Sequence, residues 1–201
     1  MKRLVSAVGA LAAALLLAAC TSGGSGDLVE SYTKGDAGGG YISGDGSVVT
    51  VAVGDRKPVQ AYAGELDTGA GFDSAELEGR VSLLNFWYAN CPPCRTEAPD
   101  LAELHEQYEA DEDVVFLGVN VEDSAPRALG FAREYGIRYP SILDQGDNAV
   151  QLAFAGTVAP NAVPTTLVLD REGRVAARFS GIITDPALVS TIIDDTLAEG
   201  D

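Results

Sequence analysis

The feature that most limits the fold of this chain is a set of short segments that are apolar almost throughout. Residues 81–86 and 114–121 are the two clearest of these. Continuous apolar runs of this length are typical of strands that a parallel sheet buries on both faces. A sheet buried on both faces needs helices on each side, so these runs predict an α/β fold.

The remaining predicted elements extend this sheet. Helices are expected from about residue 93 through 108 and over 124–135, 147–155 and 185–197, and further strands over 140–143, 165–169 and 175–179. A strand–helix–strand start implies a parallel pair with a right-handed crossover, and the last two strands form an antiparallel hairpin. We therefore expect a mixed sheet flanked by helices, preceded by an N-terminal β-hairpin that residues 48–53 and 59–63 form.

The N-terminus predicts export and lipid attachment. Lys2 and Arg3 precede an uncharged stretch, residues 4–19, that is rich in Ala and Leu. This stretch is short for a membrane span of about 20 residues and suits the apolar part of an export signal. It ends in Leu-Ala-Ala-Cys20, which resembles a bacterial lipobox. We predict a signal peptide over residues 1–19 and a lipid on Cys20; an ordinary signal peptide with an incidental cysteine is the alternative.

Residues 20–47 are predicted to form a flexible tether, and residues 48–201 the folded domain. Nine of the 27 residues after Cys20 are Gly and five are Ser, a composition typical of flexible linkers. The chain carries 30 acidic and 13 basic residues, a net charge of -17. This charge disfavours binding to nucleic acid and to anionic lipid headgroups. The domain is therefore expected to hang from its lipid on the extracytoplasmic side of the cell membrane.

The cysteine pair Cys91 and Cys94 predicts redox chemistry. Two prolines separate the cysteines, and the pair follows the strand 81–86 at the start of a helix. The positive end of a helix dipole stabilises a thiolate on Cys91. Cys94 can then close a small ring and expel a partner from a mixed disulfide. We expect Cys91 to be the accessible nucleophile and Cys94 to be shielded.

Other uses of the pair have less support in the sequence. A zinc site needs two further ligands, but the chain has one His and no second cysteine pair, so no metal or other cofactor is expected. Haem attachment needs a His after the second cysteine, where Arg95 stands. A purely structural disulfide remains open, although a loop of two residues restrains little chain. The single histidine, His105, is expected to be exposed on its helix.

Three segments carry a resemblance to a known family. They are 83–99 (LLNFWYANCPPCRTEAP), 116–121 (FLGVNV) and 163–166 (VPTT). Together they resemble the thioredoxin superfamily, and more narrowly its TlpA/ResA-like branch of exported thiol–disulfide oxidoreductases. The resemblance covers about residues 66–197 and implies a thioredoxin-like fold with a helix and a strand inserted over 125–143. The chain departs from the family at Asn90, where an aromatic residue is usual, and from thioredoxins proper at Asn85, where they carry a buried Asp.

The resemblance also implies roles for single residues. Glu97 matches a buried proton shuttle for Cys94, whereas its position alone also allows an exposed Glu that the helix dipole favours. Pro164 would be cis and face the cysteines, so that the backbone of Val163 pairs with an extended substrate segment. A trans proline that opens a strand is the alternative. Trp87 is expected to pack beside the site and contribute to substrate binding.

Together these observations predict a membrane-tethered, monomeric thiol–disulfide oxidoreductase. Its substrates would be disulfides in exported proteins, with apocytochrome c before haem attachment as the example that the resemblance implies. A membrane thiol reductant would reset the cysteine pair. A thiol peroxidase is one alternative, but Tyr88 stands three residues before Cys91, where a Thr or Ser is usual. A redox-silent binding lipoprotein with a structural disulfide is another.

Overall fold

A computed structural model of the protein describes residues 47–157 and 162–199. The predicted signal peptide, Cys20 and the predicted tether up to residue 46 lie outside the described residues. Within the described part of the chain, no helix combines the length and the apolar character that crossing a bilayer requires.

The described residues alternate between strands and helices, as the apolar runs predict. The strands are β1 (Val48–Thr50), β2 (Ala63–Glu65), β3 (Gly71–Asp73), β4 (Val81–Trp87), β5 (Val114–Asn120), β6 (Ser141–Leu143), β7 (Thr165–Leu169) and β8 (Val175–Ser180). The helices are α1 (Pro92–Tyr108), α2 (Ala125–Tyr135), α3 (Ala149–Ala153) and α4 (Pro186–Ala198).

Six strands form one mixed sheet in the order β1-β8-β7-β4-β5-β6. Strands β4, β5 and β6 are parallel to one another, whereas β7 is antiparallel to both β4 and β8. Strands β2 and β3 form a separate two-stranded sheet. The predicted thioredoxin-like arrangement, a mixed sheet flanked by helices with a helix and a strand inserted before β7, is confirmed.

Successive residues of the central strands contribute to cores on opposite faces of the sheet. Leu83 packs with residues of α1 and α4, such as Leu104 and Ile193, and Leu84 packs on the other face with Phe154, which follows α3. All seven residues of β4 are buried. Because β4 lies between two strands and under two layers, it has no solvent-exposed face, which explains its continuous apolar sequence.

The predicted N-terminal hairpin is wrong in its pairing. Residues 48–50 do form a strand, but β1 pairs with β8, with Val48 opposite Phe179. The hairpin lies later in the chain, where β2 pairs with β3. A 3-10 turn over Val53–Asp55 and the proline at position 58 interrupt the chain after β1. The open edge of β8 then provides the hydrogen-bonding partner that a hairpin would have supplied.

The expectation that His105 is exposed is also wrong. The histidine is half-buried, and its ring meets Phe116 and Tyr139 edge-on at centroid distances of 5.3 Å each. Burial lowers the pKa of His105. The side chain belongs to an aromatic cluster under α1, so it packs as a core residue.

Three chain segments meet at one edge of the sheet. Because β4 and β5 are parallel, their carboxyl ends lie side by side, with Trp87 opposite Asn120. Strand β7 runs the other way and begins at this edge, with Thr165 opposite Phe86. The loop before α1, the loop after β5 and the segment before β7 therefore converge there, at the position where ligand sites of such sheets lie.

Candidate active site

The cysteine pair lies at the N-terminus of α1, as the sequence predicts. Cys91 is the N-cap residue, and the helix begins at Pro92. Cys91 and Cys94 form a disulfide with a Cα–Cα distance of 5.3 Å. The backbone N–H of Cys94 donates to Sγ of Cys91 at 3.2 Å. Pro92 and Pro93 have no N–H, so the N–H of Cys94 is the first one in the helix after Cys91.

Both cysteines are covered by apolar side chains. Each is 2% exposed, and they pack with Trp87, Ala98 and Phe131. The expected difference in exposure between Cys91 and Cys94 is therefore absent in this disulfide form. Phe131 of the inserted helix α2 belongs to the buried cluster that contains both cysteines, so α2 adds apolar packing that the start of α1 alone does not supply.

Trp87 packs in the same buried cluster as the two cysteines. Its ring lies against that of Phe131 at a centroid distance of 4.3 Å, and its Nε1 donates to Ser141 Oγ at 3.2 Å. Gly118 leaves room for this contact, since a Cβ there would lie 2.1 Å from Ser141 Oγ and 2.8 Å from Trp87 Nε1. Trp87 is 5% exposed. A direct role in substrate binding stays a prediction.

Glu97 is buried three residues after Cys94, with 1% of its surface exposed. Its Oε1 accepts a hydrogen bond from the Asn85 side-chain amide, and its Oε2 accepts one from the backbone N–H of Ile183, both at 3.0 Å. Burial away from water raises the pKa of Glu97 to about 7, against the smaller lowering effects of these two donors. A carboxyl group with this pKa exchanges its proton near neutral pH, as a proton acceptor for a thiol must.

The sequence marks Asn85 as a departure from thioredoxins proper, but it did not predict the hydrogen bonds that Glu97 receives from Asn85 and from Ile183. Asn85 Nδ2 donates both to Glu97 and to Thr166 Oγ1, each at 3.0 Å. Asn85 also lines a small cavity together with Cys94. Asn85 is a polar residue within a largely apolar, buried strand, and its need for a hydrogen-bonding partner is the signal that could have predicted its contact with Glu97. Ile183 acts through its backbone N–H, which no side-chain pattern reveals.

Pro164 lies at the start of β7, and its peptide bond with Val163 is cis. Val163 is half-buried and packs against the cluster that contains both cysteines. The carbonyl of Pro164 accepts a hydrogen bond from Gly181 N–H at 2.9 Å. The structure thus brings Val163 beside the cysteine pair; pairing of its backbone with a substrate stays a prediction.

Arg95, the charged residue nearest in sequence to the pair, points to α2. Its Nε donates to the Tyr135 hydroxyl at 2.8 Å, and its Nη2 lies 3.6 Å from a Glu134 carboxylate oxygen. Half of the Arg95 side chain is exposed. Its positive charge is therefore shared with an acidic partner and with water, which limits its effect on a Cys91 thiolate.

The match to a protein family agrees with this geometry. A family model described as Redoxin matches residues 45–192, which include the cysteine pair, Glu97 and Pro164. The chain belongs to the Redoxin family. Relatives that it matches are named thiol-disulfide oxidoreductases, and the mixed sheet flanked by helices is that of the thioredoxin superfamily.

Two relatives illustrate the similarity in sequence. This Redoxin-family chain is 30% identical over 117 residues to the thiol-disulfide oxidoreductase ResA of Halalkalibacterium halodurans, a match that covers 58% of the chain and 63% of the relative. It is 30% identical over 162 residues to the thiol:disulfide interchange protein HelX of Rhodobacter capsulatus, covering 79% and 87%. The chain thus spans less than two thirds of the ResA protein and most of HelX.

Solved structures show the same fold. A DsbF homologue from Corynebacterium diphtheriae has a TM-score of 0.68 and 32% identity, with 77% of this chain and 96% of that chain covered. A secreted thiol-disulfide isomerase from Corynebacterium glutamicum has a TM-score of 0.67 and 30% identity, with 78% and 99% covered.

The site combines a cysteine pair with a buried carboxyl group whose pKa is near neutral. Cys91 is held at the positive end of a helix, and Glu97 follows Cys94 by three residues on the same helix, a spacing that places two side chains on one face. Among the described residues, no cluster of three or more His, Cys, Asp or Glu is arranged to hold a metal ion. The chemistry that these side chains can perform is thiol–disulfide exchange with proton transfer.

The buried Glu97 predicts that stability depends on pH. Its pKa is about 7 in the folded protein, compared with an ordinary value of 4.5. Protonated Glu97 contributes to the stability of the folded protein. This contribution is fully present below pH 4.5 and is lost as the pH rises through 7. We expect the free energy of unfolding of the disulfide form to fall by about 3 kcal/mol over this window because of Glu97 alone. Urea unfolding between pH 4 and pH 8 measures this.

Glu97→Gln should remove this part of the pH dependence, since the amide does not ionise. Glu103→Gln changes an exposed glutamate of the same helix and should keep the wild-type pH dependence. A Glu97→Gln profile parallel to that of the wild type would show that Glu97 is ionised at little cost in the folded protein.

Proposed function

We propose that this chain is a lipid-anchored, extracytoplasmic thiol–disulfide oxidoreductase that reduces disulfide bonds in exported proteins. The observation that carries the proposal is the buried Glu97 three residues after Cys94 in a helix that begins at the cysteine pair. A structural disulfide needs no proton acceptor. A carboxyl group whose pKa is raised to about 7 by burial costs stability, and this cost is typical of catalytic sites.

The proposed reaction proceeds in two exchange steps. The Cys91 thiolate attacks one sulfur of a substrate disulfide, so that a Cys91–substrate disulfide forms and the other substrate sulfur leaves as a thiolate and takes up a proton. The Cys94 thiol then gives its proton to the Glu97 carboxylate, and the new thiolate attacks Sγ of Cys91. The Cys91–Cys94 disulfide forms, the second substrate sulfur leaves, and the substrate has gained two electrons.

The direction of exchange follows from what surrounds Cys91. A strong oxidant owes its high potential to a very stable thiolate, which N–H donors and positive charge create. Here Pro92 and Pro93 contribute no N–H, and the Cys94 N–H is the donor within reach. Arg95 is paired with Tyr135 and Glu134 at the surface. The reduced form is therefore weakly stabilised, which favours action as a reductant.

We expect a reduction potential near the thioredoxin end of the known range, at about −250 mV. Equilibration with glutathione redox buffers measures it. Pro93→His should shift the potential towards oxidising values, because it adds an N–H donor and a positive charge beside the Cys91 thiolate. Pro93→Ala adds the N–H alone and should give a smaller shift. A wild-type potential as oxidising as about −120 mV would instead make the protein a disulfide donor.

The substrate would bind as an extended segment beside Pro164. Val163 packs against the cluster that contains both cysteines, which supports the proposal that its backbone pairs with a substrate strand that presents a disulfide to Cys91. Exported proteins with exposed or incorrect disulfides are the proposed substrates. Apocytochrome c, which must have reduced cysteines before haem attachment, is the specific candidate, and a membrane thiol reductant would restore the dithiol.

Trapping tests the activity and identifies the substrate. In a Cys94→Ser variant the second exchange step is blocked, so we expect stable mixed disulfides between Cys91 and exported proteins that survive non-reducing electrophoresis and disappear on reduction. Cys91→Ser lacks the nucleophile and is the matched control. Equal trapping by the two variants would contradict the assignment of Cys91 as the nucleophile. In a separate assay, rapid reduction of hydrogen peroxide by the wild type would favour a thiol peroxidase.

The proposed location rests on the N-terminal sequence. A lipid on Cys20 would hold the domain at the membrane through the Gly- and Ser-rich segment 21–46, and linkers of that composition and length have a root-mean-square span of about 25–30 Å. The relative from Corynebacterium glutamicum described as secreted agrees with a place outside the cytoplasm.

Cys20→Ala tests the anchor. The wild type is expected to fractionate with membranes and to carry a lipid on the peptide that begins at Cys20, whereas the variant should lose the lipid. Mass spectrometry of the N-terminal peptide measures this. Unmodified Cys20 in the membrane-bound wild type would contradict the lipoprotein assignment.

A further inference from the structure

Asp123 is a buried carboxylate that the reaction above does not use. It lies between β5 and α2, and its side chain is 5% exposed. Its Oδ2 accepts hydrogen bonds from the backbone N–H of Ala89 at 2.6 Å and from Asn120 Nδ2 at 3.0 Å. Its Oδ1 lies 2.8 Å from Arg127 Nε. A carboxylate buried with three donors is well compensated, and its partners are arranged around it specifically.

The hydrogen bond from the Ala89 N–H to Asp123 connects this carboxylate to the cysteine pair, because Ala89 precedes Cys91 by two residues. The loop between β4 and α1 consists of residues 88–91, and within it Cys91 N–H donates to the Tyr88 carbonyl at 3.1 Å. Among the residues that the structure describes, Asp123 supplies the side-chain hydrogen bond to this loop. The loop carries both the nucleophile and the exposed Asn90.

Asp123 is itself held rigidly at the end of β5. Its backbone N–H donates to Asn120 Oδ1 at 2.6 Å, and Asn120 is fully buried. The N–H of Val121 donates to the Trp87 carbonyl at 3.1 Å. The end of β5 is therefore tied to the end of β4 both through the backbone and through the Asp123 carboxylate. Hydrogen bonds to a carboxylate are short and strong. The bond from the Ala89 N–H to Asp123 therefore fixes the position of the loop 88–91 relative to the end of β5.

We infer that Asp123 is a positioning residue that holds Cys91 in place for attack on a substrate disulfide. In the disulfide form Cys91 is also tied covalently to Cys94. That bond is absent in the reduced form, so the Asp123–Ala89 hydrogen bond carries more of the positioning at the step where Cys91 attacks. Loss of the carboxylate should therefore slow the attack by the reduced protein more than a general loss of stability would. This inference rests on the proposed function.

The test compares reduced full-length variants in a Cys94→Ser background, where Cys91 is the reacting residue. The rate constant for attack on 5,5′-dithiobis(2-nitrobenzoic acid) is followed by mass spectrometry on the peptide that carries Cys91. Asp123→Ala should react about tenfold more slowly, since small displacements of a reacting group cost this much or more. Asp123→Asn keeps an oxygen that can accept from Ala89 and should recover most of the rate.

Asp170→Ala is the matched control. Asp170 is also a buried carboxylate that accepts from backbone N–H groups, those of Glu172 and Arg174, and pairs with arginine. It follows β7 at the end of the sheet remote from the cysteines, where Leu169 lies opposite Ser82. We expect Asp170→Ala to lose stability and to keep the rate of Cys91 attack within about twofold of the parent.

Two outcomes of the rate comparison would overturn the inference: an unchanged rate in Asp123→Ala, or an equal loss of rate in Asp170→Ala. Amide hydrogen exchange of the reduced wild type is a second measurement that does not depend on the folding of a variant. The Ala89 amide should stay protected, and rapid exchange would refute the inference.

A wild type that reacts with the small disulfide but reduces no protein disulfide would defeat the proposed function alone, because the rate comparison measures positioning without a protein substrate.

Discussion

The burial of β4 on both faces is the constraint on which the rest of the site depends. A strand covered by two layers must be apolar, yet Asn85 stands within it and Cys91 follows it by four residues. The chain leaves the carboxyl end of β4 and places the cysteine pair at the N-terminus of α1. The strand also turns Asn85 towards Glu97, on the helix that covers the strand. The position of Cys91 and the side-chain hydrogen bond to Glu97 thus both depend on this strand.

Glu97 shows why a carboxyl group is tolerated in such a core. Its two oxygens each receive one hydrogen bond, from Asn85 and from the backbone of Ile183, so neither is left unpaired. Two neutral donors are too few to keep the group as acidic as it is in water, and its pKa rises to about 7. The same donors link Glu97 to β7 and to the loop after β8: Asn85 also donates to Thr166, and Gly181 in the loop that contains Ile183 donates to the Pro164 carbonyl.

The other side of the cysteine pair is organised by the loop after β5 and the inserted helix α2. Phe131 packs in the cluster that contains both cysteines and lies against the Trp87 ring, while Asp123 accepts a hydrogen bond from the Ala89 N–H in the loop before α1. The inserted helix therefore contributes apolar packing, and the loop before it contributes a polar anchor. Most of what surrounds the nucleophile comes from residues that are distant from it in sequence.

The sequence by itself determined the buried strands, the start of α1, the cysteine pair and the candidate glutamate, because apolar periodicity and helix-capping chemistry are local properties. The tertiary structure decided which segments meet. β1 pairs with β8 and not with the segment that follows it, and His105 packs between aromatic rings from β5 and from the loop before β6. The Ile183 N–H that holds Glu97 comes from 86 residues away. Such contacts depend on how the chain closes in space, and a backbone N–H leaves no mark in a sequence pattern.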